Sequence, residues 1–526
     1  MLARFMESVI KTLDSVLLLN SIYKSILDKT RRINGTGIMA KSARAVAALT
    51  IGTVAGRGMR FIRSMILARI LAPNQIGMMA IIMSFSIAFE ALTEVGVKQS
   101  IIQNKKGADS DYLNAAWWMQ LVRGLCLFAV AFLLAPYISS YYDNPKLMSL
   151  LRVAFLAIAL RGLVSPRAYV LEKHYKFGQA VFLNQGSSIL GAVISVTLAF
   201  IMRNVWALVI GFVSETAILA TLSFILVPFL PRFRLDRSSL AELMKFAGRI
   251  FGLPVLTMLS IQAPTLILGK VIPNDELGLY VYAYLFALLP AELFLKIIGP
   301  VLLPAFSEKQ DDNSALRRGL LRTTKWTASF AIPLIIFMVC CSPELLFFAF
   351  GGRWVAMTIP FMVLCFQVLI RNEAAILASV YLAIAKPHLQ RRFAVVRAVA
   401  IVGLAYPAAV HFGPLGVAAV IVLNNFYILI VQALVCVRII ELKFDRYVGC
   451  YVTGLLLAIP IVITFDLFQL FGVDNPIVVF VIGGFVCAMM FAAGALVLGY
   501  SKLRTKIPEV SWDGLRSESS IEDARA

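Results

Sequence analysis

Charged residues are scarce in this sequence. Asp, Glu, Lys and Arg make up only 15% of its 526 residues, against about 25% in a typical soluble domain, and 60% of the residues are hydrophobic. The polar side chains are therefore too few to cover a globule of this size, which excludes a soluble enzyme. Lipid must cover most of the surface, and the composition predicts an all-α, polytopic membrane protein.

Histidine is scarce as well, and the cysteines show no regular spacing. The three histidines are scattered, and the seven cysteines lie in or beside apolar stretches without metal-ligand spacing. No Walker A loop and no signal-peptide pattern occurs. The outer loops between apolar segments are too short to hold a catalytic domain. We therefore expect no enzyme activity, no metal and no cofactor.

Apolar runs of about 20 residues are the most abundant feature of the chain. They predict fourteen transmembrane helices. These helices run near Val46–Leu71, Gln75–Val97, Tyr112–Pro136, Met148–Val164, Phe177–Met202, Trp206–Val227, Phe251–Ile272, Leu277–Leu303, Thr327–Phe350, Ala356–Ile384, Phe393–Phe412, Leu415–Val437, Val448–Leu470 and Ile477–Tyr500.

The loops between these helices alternate in basic content. One set of loops holds 23 Lys and Arg residues, whereas the opposite set holds only Lys146, Arg203, Lys270 and Arg353. Because basic residues collect on the cytoplasmic side of a membrane protein, orientation explains the net charge of +20 better than nucleic-acid binding does. The loops therefore predict that both termini lie in the cytoplasm.

The two ends of the chain differ from the rest. Residues 1–45 carry apolar residues at roughly helical spacing among basic ones, which predicts either an interfacial amphipathic helix or a disordered leader. A start of translation at Met39 is a third alternative. Residues 501–526 are polar and mixed in charge, and they are predicted to form a disordered cytoplasmic tail.

An internal repeat relates the first and seventh helices. Leu67–Leu71 followed by Gln75–Gly77 matches Leu268–Ile272 followed by Glu276–Gly278 at a constant offset of 201 residues. Since the two hairpins lie six helices apart, they have the same orientation, which predicts two parallel six-helix lobes. The first lobe is placed at residues 46–230 and the second at 231–440, and residues 441–500 form two further helices.

Ionisable residues lie within the predicted helices, where a charge costs about 2.5–3.5 kcal/mol. Arg57, Arg60 and Arg63 recur every three residues and occupy one third of the circumference of the first helix. Glu292 and Lys296 form an i,i+4 pair that can neutralise itself. The alternative for all of these charges is mutual pairing that fixes helix register. The other deep charges are Glu90, Glu94, Arg123, Arg161, Glu215, Arg371 and Glu373.

These charges predict a central cavity that binds an anion. Guanidinium groups suit phosphate or carboxylate oxygens, and the arginines outnumber the nearby carboxylates. The carboxylates are candidates for coupling to a proton or another cation. The predicted anion-binding residues are Arg57, Arg60, Arg63, Arg123 and Arg371. The predicted ion-coupling residues are Glu90, Glu292 and Glu373.

The segment Leu67–Gly77, followed by Gly96-Val97, Ile101–Gln103 and Tyr112–Trp118, resembles the start of bacterial polysaccharide exporters. These are the Wzx-type oligosaccharide flippases of the multidrug/oligosaccharidyl-lipid/polysaccharide (MOP) superfamily, in the branch of colanic acid, teichuronic acid and succinoglycan exporters. The resemblance extends over most of residues 40–500.

The resemblance implies translocation of undecaprenyl-diphosphate-linked oligosaccharide repeat units from the cytoplasmic to the periplasmic leaflet of the bacterial inner membrane. This translocation would proceed by alternating access, for exopolysaccharide or lipopolysaccharide biosynthesis. In the related lipid II flippase, cavity arginines of the first lobe serve the diphosphate, a role that position assigns here to Arg57, Arg60 and Arg63. The two last helices would form a groove for the lipid tail. A polysaccharide polymerase and co-polymerase are the implied protein partners. A multidrug cation antiporter of the same superfamily and a non-transporting scaffold are the alternatives.

Overall fold

The computed structural model describes residues 38–92, 96–174, 177–232, 236–250, 253–473 and 475–504. The predicted leader lies almost entirely outside these ranges, as do the predicted tail beyond residue 504 and Glu94. Within them the chain is helical throughout, without a β-strand. The first half contains α1 (Ile38–Ile70), α2 (Pro73–Leu92), α3 (Val97–Gln103), α4 (Ser110–Tyr141), α5 (Lys146–Gly162), α6 (Arg167–Lys173), α7 (Phe177–Met202), α8 (Trp206–Leu226) and α9 (Arg237–Ile250).

The second half continues with α10 (Leu253–Val271), α11 (Asn274–Ser307), α12 (Asn313–Cys340), α13 (Ser342–Phe350), a 3₁₀ turn (Gly352–Met357), α14 (Thr358–Cys365), α15 (Gln367–Ala383), α16 (Pro387–Ile439), α17 (Phe444–Gly449), α18 (Val452–Leu470) and α19 (Pro476–Arg504).

Helices occupy all fourteen predicted segments, which confirms the all-α membrane fold. In the described ranges, ten helices are long and apolar enough to cross a membrane, or eleven if α5 and α6, bent by 62°, form one span. One of the ten, α16, covers two predicted helices and is broken at Gly413, whose backbone has a φ of 56°. The number of fourteen crossings therefore stays a prediction.

Two predicted helices are interrupted. The ninth ends at Cys340 and resumes as the short α13, whose second residue is Pro343, and the tenth is broken at Phe366 between α14 and α15. Proline lacks a backbone N–H, so it suits the first turn of a new helix and disfavours a continuous one. Apolar runs do not reveal such breaks, because both sides of each break are equally hydrophobic.

The helices pack as two groups with a third element beside them. In the first lobe α4 packs on α5, α7 on α8 and α1 on α7; in the second lobe α10 packs on α16, and α15 on α11, α12 and α16. The C-terminal pair, α18 and α19, packs on α12. The lobes meet where α2 contacts α10 and α11. The sequence boundaries of the lobes stay predictions.

The lobes touch most closely at two glycines that the repeat relates. A Cβ atom on Gly77 would lie 1.9 Å from the carbonyl oxygen of Asn274, and a Cβ atom on Gly278 would lie 1.9 Å from that of Pro73. Because Pro73 and Asn274 are also separated by 201 residues, the contact is symmetric. Only glycine allows the two backbones to approach this closely. We name this contact the glycine crossing.

Two repeat-related cations reach across from the glycine crossing to the opposite lobe. Arg69 donates a 2.5 Å hydrogen bond to the carbonyl oxygen of Phe348. Lys270 donates to the carbonyl oxygen of Tyr141 at 2.6 Å and to the Asp143 carboxylate at 2.7 Å. Both contacts lie on the face whose loops hold few basic residues, which we call the cation-poor face. The lobes are therefore closed against each other on that face.

We expect Gly77→Ala to open the cation-poor face, because the new methyl group collides with a backbone carbonyl that cannot move aside. The probe is Ile87→Cys, an exposed cavity residue, with Cys126 and Cys340 replaced by Ser. Its labelling by an impermeant maleimide from that face should rise at least about tenfold, a shift of about 1.4 kcal/mol. Gly403→Ala is the control, since no atom lies near a Cβ there. Equal labelling in both variants would show that the crossing does not hold the face closed.

Candidate functional site

A cavity of about 640 Å³ lies between the lobes. It extends from Leu67 and Ile76, beside the glycine crossing, to Arg161 and Glu292 toward the opposite face. Helices α1, α2, α5, α7 and α8 form its first-lobe wall, and α10 and α11 form the second-lobe wall. A void of this size, lined by charged side chains within a membrane domain, is a candidate binding site.

The three arginines of α1 all line this cavity, as their spacing predicted. Arg57 forms an ion pair with Glu292 of α11, across the gap between the lobes. Arg63 pairs with Glu215 of α8 at 3.5 Å. Arg60 has no carboxylate partner within the described residues; its guanidinium donates to the Ser188 hydroxyl at 3.4 Å. The arginines thus share one surface but differ in how they are neutralised.

The pairing of Glu292 corrects one prediction. Glu292 does not neutralise Lys296, one turn away on the same helix; it pairs with Arg57, and Lys296 is exposed. The i,i+4 rule describes pairs on an isolated helix and takes no account of a neighbouring lobe. Here the other lobe supplies the partner of Glu292, which remains about one third exposed. Glu90, likewise, bonds the guanidinium of Arg161 at 2.7 Å. Two of the three candidate coupling carboxylates are therefore held by arginines.

The remaining predicted residues do not line the cavity. Arg123 on α4 and Arg371 on α15 are absent from its wall. Glu373, the third candidate for ion coupling, is fully buried in the second lobe. Its Oε2 atom accepts hydrogen bonds from Thr324 at 3.0 Å and Tyr447 at 3.2 Å. The structure thus brings together the α1 arginines and Glu292 on the cavity wall, whereas Glu90, Arg123, Arg371 and Glu373 lie outside it.

The cavity wall carries more positive than negative charge. Its charged residues are four arginines and two glutamates. In addition, the Nε atoms of Arg57 and Arg63 are buried without a hydrogen-bond partner in the described part of the chain. Since guanidinium donors pair readily with oxyanions, the site can accept an anion that replaces or joins the carboxylates.

Uncharged polar residues on the wall were missed by the sequence analysis. Asn184, Gln185 and Ser187 on α7 line the cavity, as do Gln262 and Thr265 on α10. A run of amide and hydroxyl side chains within an otherwise apolar helix was the available signal. These groups both donate and accept hydrogen bonds, so they suit a ligand rich in hydroxyl groups.

Comparisons with known proteins agree with this architecture. The model of a family described as "Polysaccharide biosynthesis protein" matches residues 66–359, more than half of the chain. "Lipopolysaccharide biosynthesis protein WzxC" of Escherichia coli (strain K12) is 23% identical over 65% of this chain and 70% of its own length. "Succinoglycan biosynthesis transport protein ExoT" of Rhizobium meliloti (strain 1021) is 25% identical over 56% of this chain and 60% of its own.

Solved structures share the fold. The lipid II flippase MurJ in an inward closed conformation superposes with a TM-score of 0.71 and 15% identity, over 87% of this chain and 99% of that one. An inward-facing multidrug resistance transporter of the MATE family, from the MOP superfamily, gives a TM-score of 0.58 and 15% identity, over 76% and 98% of the two chains. The chain therefore shares its fold with these two transporters.

The ion pair between Arg57 and Glu292 joins the lobes on the cavity side. We expect Glu292→Gln to leave Arg57 without a counter-ion and to destabilise the purified protein by about 1–3 kcal/mol, between the values for exposed and buried pairs. The measurement is the thermal unfolding midpoint in detergent. Lys296→Gln, which changes a charge one turn away, should leave the midpoint unchanged. Equal effects of the two variants would contradict the assigned pairing.

Proposed function

Since this chain belongs to the polysaccharide biosynthesis protein family, we propose that it is a flippase for lipid-linked oligosaccharides. It moves undecaprenyl-diphosphate-linked repeat units from the cytoplasmic to the periplasmic leaflet of the bacterial inner membrane, by alternating access. The observation that carries this proposal is the arginine-lined cavity between two lobes that are closed on the cation-poor face.

The diphosphate of the substrate binds the arginines of α1. Arg60 is available first, because it has no carboxylate partner in the described residues and contacts only the Ser188 hydroxyl. The diphosphate then competes with Glu292 for Arg57, and with Glu215 for Arg63. Release of Glu292 removes the ion pair that joins the lobes across the cavity. Substrate binding thereby frees the lobes to move.

The same chemical reasoning assigns binding places to the sugar headgroup and the lipid tail of the substrate. A headgroup covered in hydroxyls cannot cross hydrocarbon unpaired, so it binds the amide and hydroxyl groups of α7 and α10. The lipid tail stays in the membrane beside the C-terminal pair, whose surface exposes large apolar side chains. These include Leu455, Leu456, Ile459, Ile463, Val481 and Phe485.

The proposed function also requires a particular orientation of the chain in the membrane. The face with many basic residues is cytoplasmic, and both termini lie on that side. The cavity then receives its substrate from the leaflet on which lipid-linked repeat units are assembled. The excess of arginine on its wall disfavours the alternative of a multidrug antiporter, because a cationic drug would be repelled. A polymerase on the periplasmic side is the partner that would receive the product.

Replacing the α1 arginines tests this function. The triple variant Arg57→Gln, Arg60→Gln, Arg63→Gln should lose export, since each charge-assisted hydrogen bond is worth about 1.5–3 kcal/mol, or about tenfold or more. In a deletion strain carrying the variant, lipid-linked oligosaccharide should accumulate on the inner leaflet. Arg318→Gln, an exposed arginine outside the cavity, is the control. Normal export by the triple variant would exclude the proposed diphosphate site.

Glu373 is our proposed site for coupling to protons. Its neighbours are the hydroxyls of Thr324 and Tyr447, and Tyr451 donates to Tyr447 at 3.1 Å. Lys325 is the cation on the adjoining turn of α12. Within the described ranges Glu373 forms no ion pair, and its Oε1 atom lacks a hydrogen-bond partner. A carboxyl group buried without a counter-ion changes the local charge when it gains or loses a proton, which suits it to coupling with proton movement.

Glu373→Gln mimics the permanently protonated carboxyl. We expect this variant to retain the fold and to lose the response of transport to an imposed pH gradient in inverted membrane vesicles. The fluorescent lipid-linked substrate should then move at the same rate with and without the gradient. Glu308→Gln, an exposed carboxylate in the loop after α11, serves as the control. A full response to the gradient in Glu373→Gln would refute the assignment.

A further inference from the structure

A second group of polar side chains lies inside the second lobe, away from the α1 arginines. It joins α15 to both halves of α16, which meet there because α16 is broken at Gly413. Asn425 donates to the side-chain oxygen of Gln367 at 3.1 Å. Asn424 donates to the backbone oxygen of Arg397 at 3.2 Å. Arg397, which the sequence analysis did not name as a site residue, lies within α16, inside the predicted helix Phe393–Phe412.

Several atoms of this group have no partner in the described part of the chain. Gln367 is 1% exposed, yet its Nε2 donor is unpaired, and so is the buried Nε of Arg397. The Oδ1 acceptor of Asn425 is unpaired as well. A buried donor or acceptor without a hydrogen bond costs about 1–3 kcal/mol. Such unpaired groups gathered at one place indicate a polar ligand.

The charges indicate that the ligand is an anion. Arg371 lies one helical turn after Gln367 on α15, and Arg397 lies on α16, the helix that packs against α15. Neither forms an ion pair with a described residue, and the neighbouring Glu373 bonds Thr324 and Tyr447 instead. Two uncompensated cations are costly inside a membrane domain, and a bound anion would neutralise them.

This group adjoins the cavity. Helix α15, which carries Gln367 and Arg371, packs on α11, and Tyr284 of α11 lines the cavity together with Glu292. A ligand held by the α1 arginines on the opposite wall could therefore place a second acidic group against Tyr284 and Arg371. The two sets of arginines are attached to different lobes.

We propose that Arg371 and Arg397, together with Gln367, form a subsite for a carboxylate on the oligosaccharide headgroup. This inference rests on the proposed function and narrows the substrate to repeat units that contain an acidic sugar or an acidic substituent. Two guanidinium forks and an amide donor match the planar, two-oxygen geometry of a carboxylate. The diphosphate occupies the α1 arginines, so one substrate engages both lobes.

The test measures binding of a soluble acidic sugar by thermal unfolding of the purified protein. Sodium glucuronate is compared with glucose and with sodium chloride at equal concentration. We expect glucuronate to raise the unfolding midpoint of the wild type and of Arg57→Gln/Arg60→Gln, but not that of Arg371→Gln/Arg397→Gln. The charge-preserving variant Arg371→Lys/Arg397→Lys should retain part of the response.

Stability without ligand separates a binding role from a structural one. Removing two uncompensated charges should leave the midpoint of Arg371→Gln/Arg397→Gln unchanged or raised, whereas a structural pair would lose stability on replacement. A lowered midpoint, or a glucuronate response that this variant retains, would overturn the proposal. An equal effect of chloride would overturn the glycan assignment in favour of a small inorganic anion. Because the assay needs no translocation, its outcome is independent of whether lipid-linked oligosaccharide is flipped.

Discussion

The structure depends on one constraint: a charge inside a membrane domain must be neutralised or hydrated. The three arginines of α1 satisfy it in different ways, through a carboxylate of the other lobe, a hydroxyl of α7 and a carboxylate of α8. Each solution leaves donor capacity unused. The cavity is therefore held together by charges that an oxyanion can take over, which is the property a binding site for a phosphorylated lipid requires.

The same constraint determines which kinds of contact join the lobes on each face. On the cation-poor face the two glycines pack against backbone carbonyls, and Arg69 and Lys270 add hydrogen bonds and one ion pair, so closure there combines backbone packing with charge. Across the cavity the lobes are joined by the ion pair between Arg57 and Glu292, which a charged ligand can replace. Backbone packing contributes on the first face, whereas the link across the cavity depends on side-chain charge. Only the second kind of contact responds directly to a substrate.

Much of the architecture could be predicted from the residues. The apolar runs located every long helix, and the three-residue spacing placed Arg57, Arg60 and Arg63 on one surface. The offset of 201 residues identified the pair of glycines that meet between the lobes. The ion-pair partners of these charges could not be predicted in the same way, because Glu292 pairs with an arginine 235 residues away rather than with the lysine one helical turn away. Arg397 was not named as a site residue, because it lies only four residues into its predicted helix, beside the basic residues of the preceding loop.

The glycine crossing has a mechanical consequence. The crossing lies near the start of α11. The part of that helix beyond the crossing has about 29 residues and is about 44 Å long, so a small rotation at the crossing is amplified at its far end. A tilt of about 15° at the crossing would move the distant end of the helix by about 11 Å, while the crossing itself hardly moves. The packing of Gly77 against Gly278 thus determines how far the lobes can separate at the opposite face.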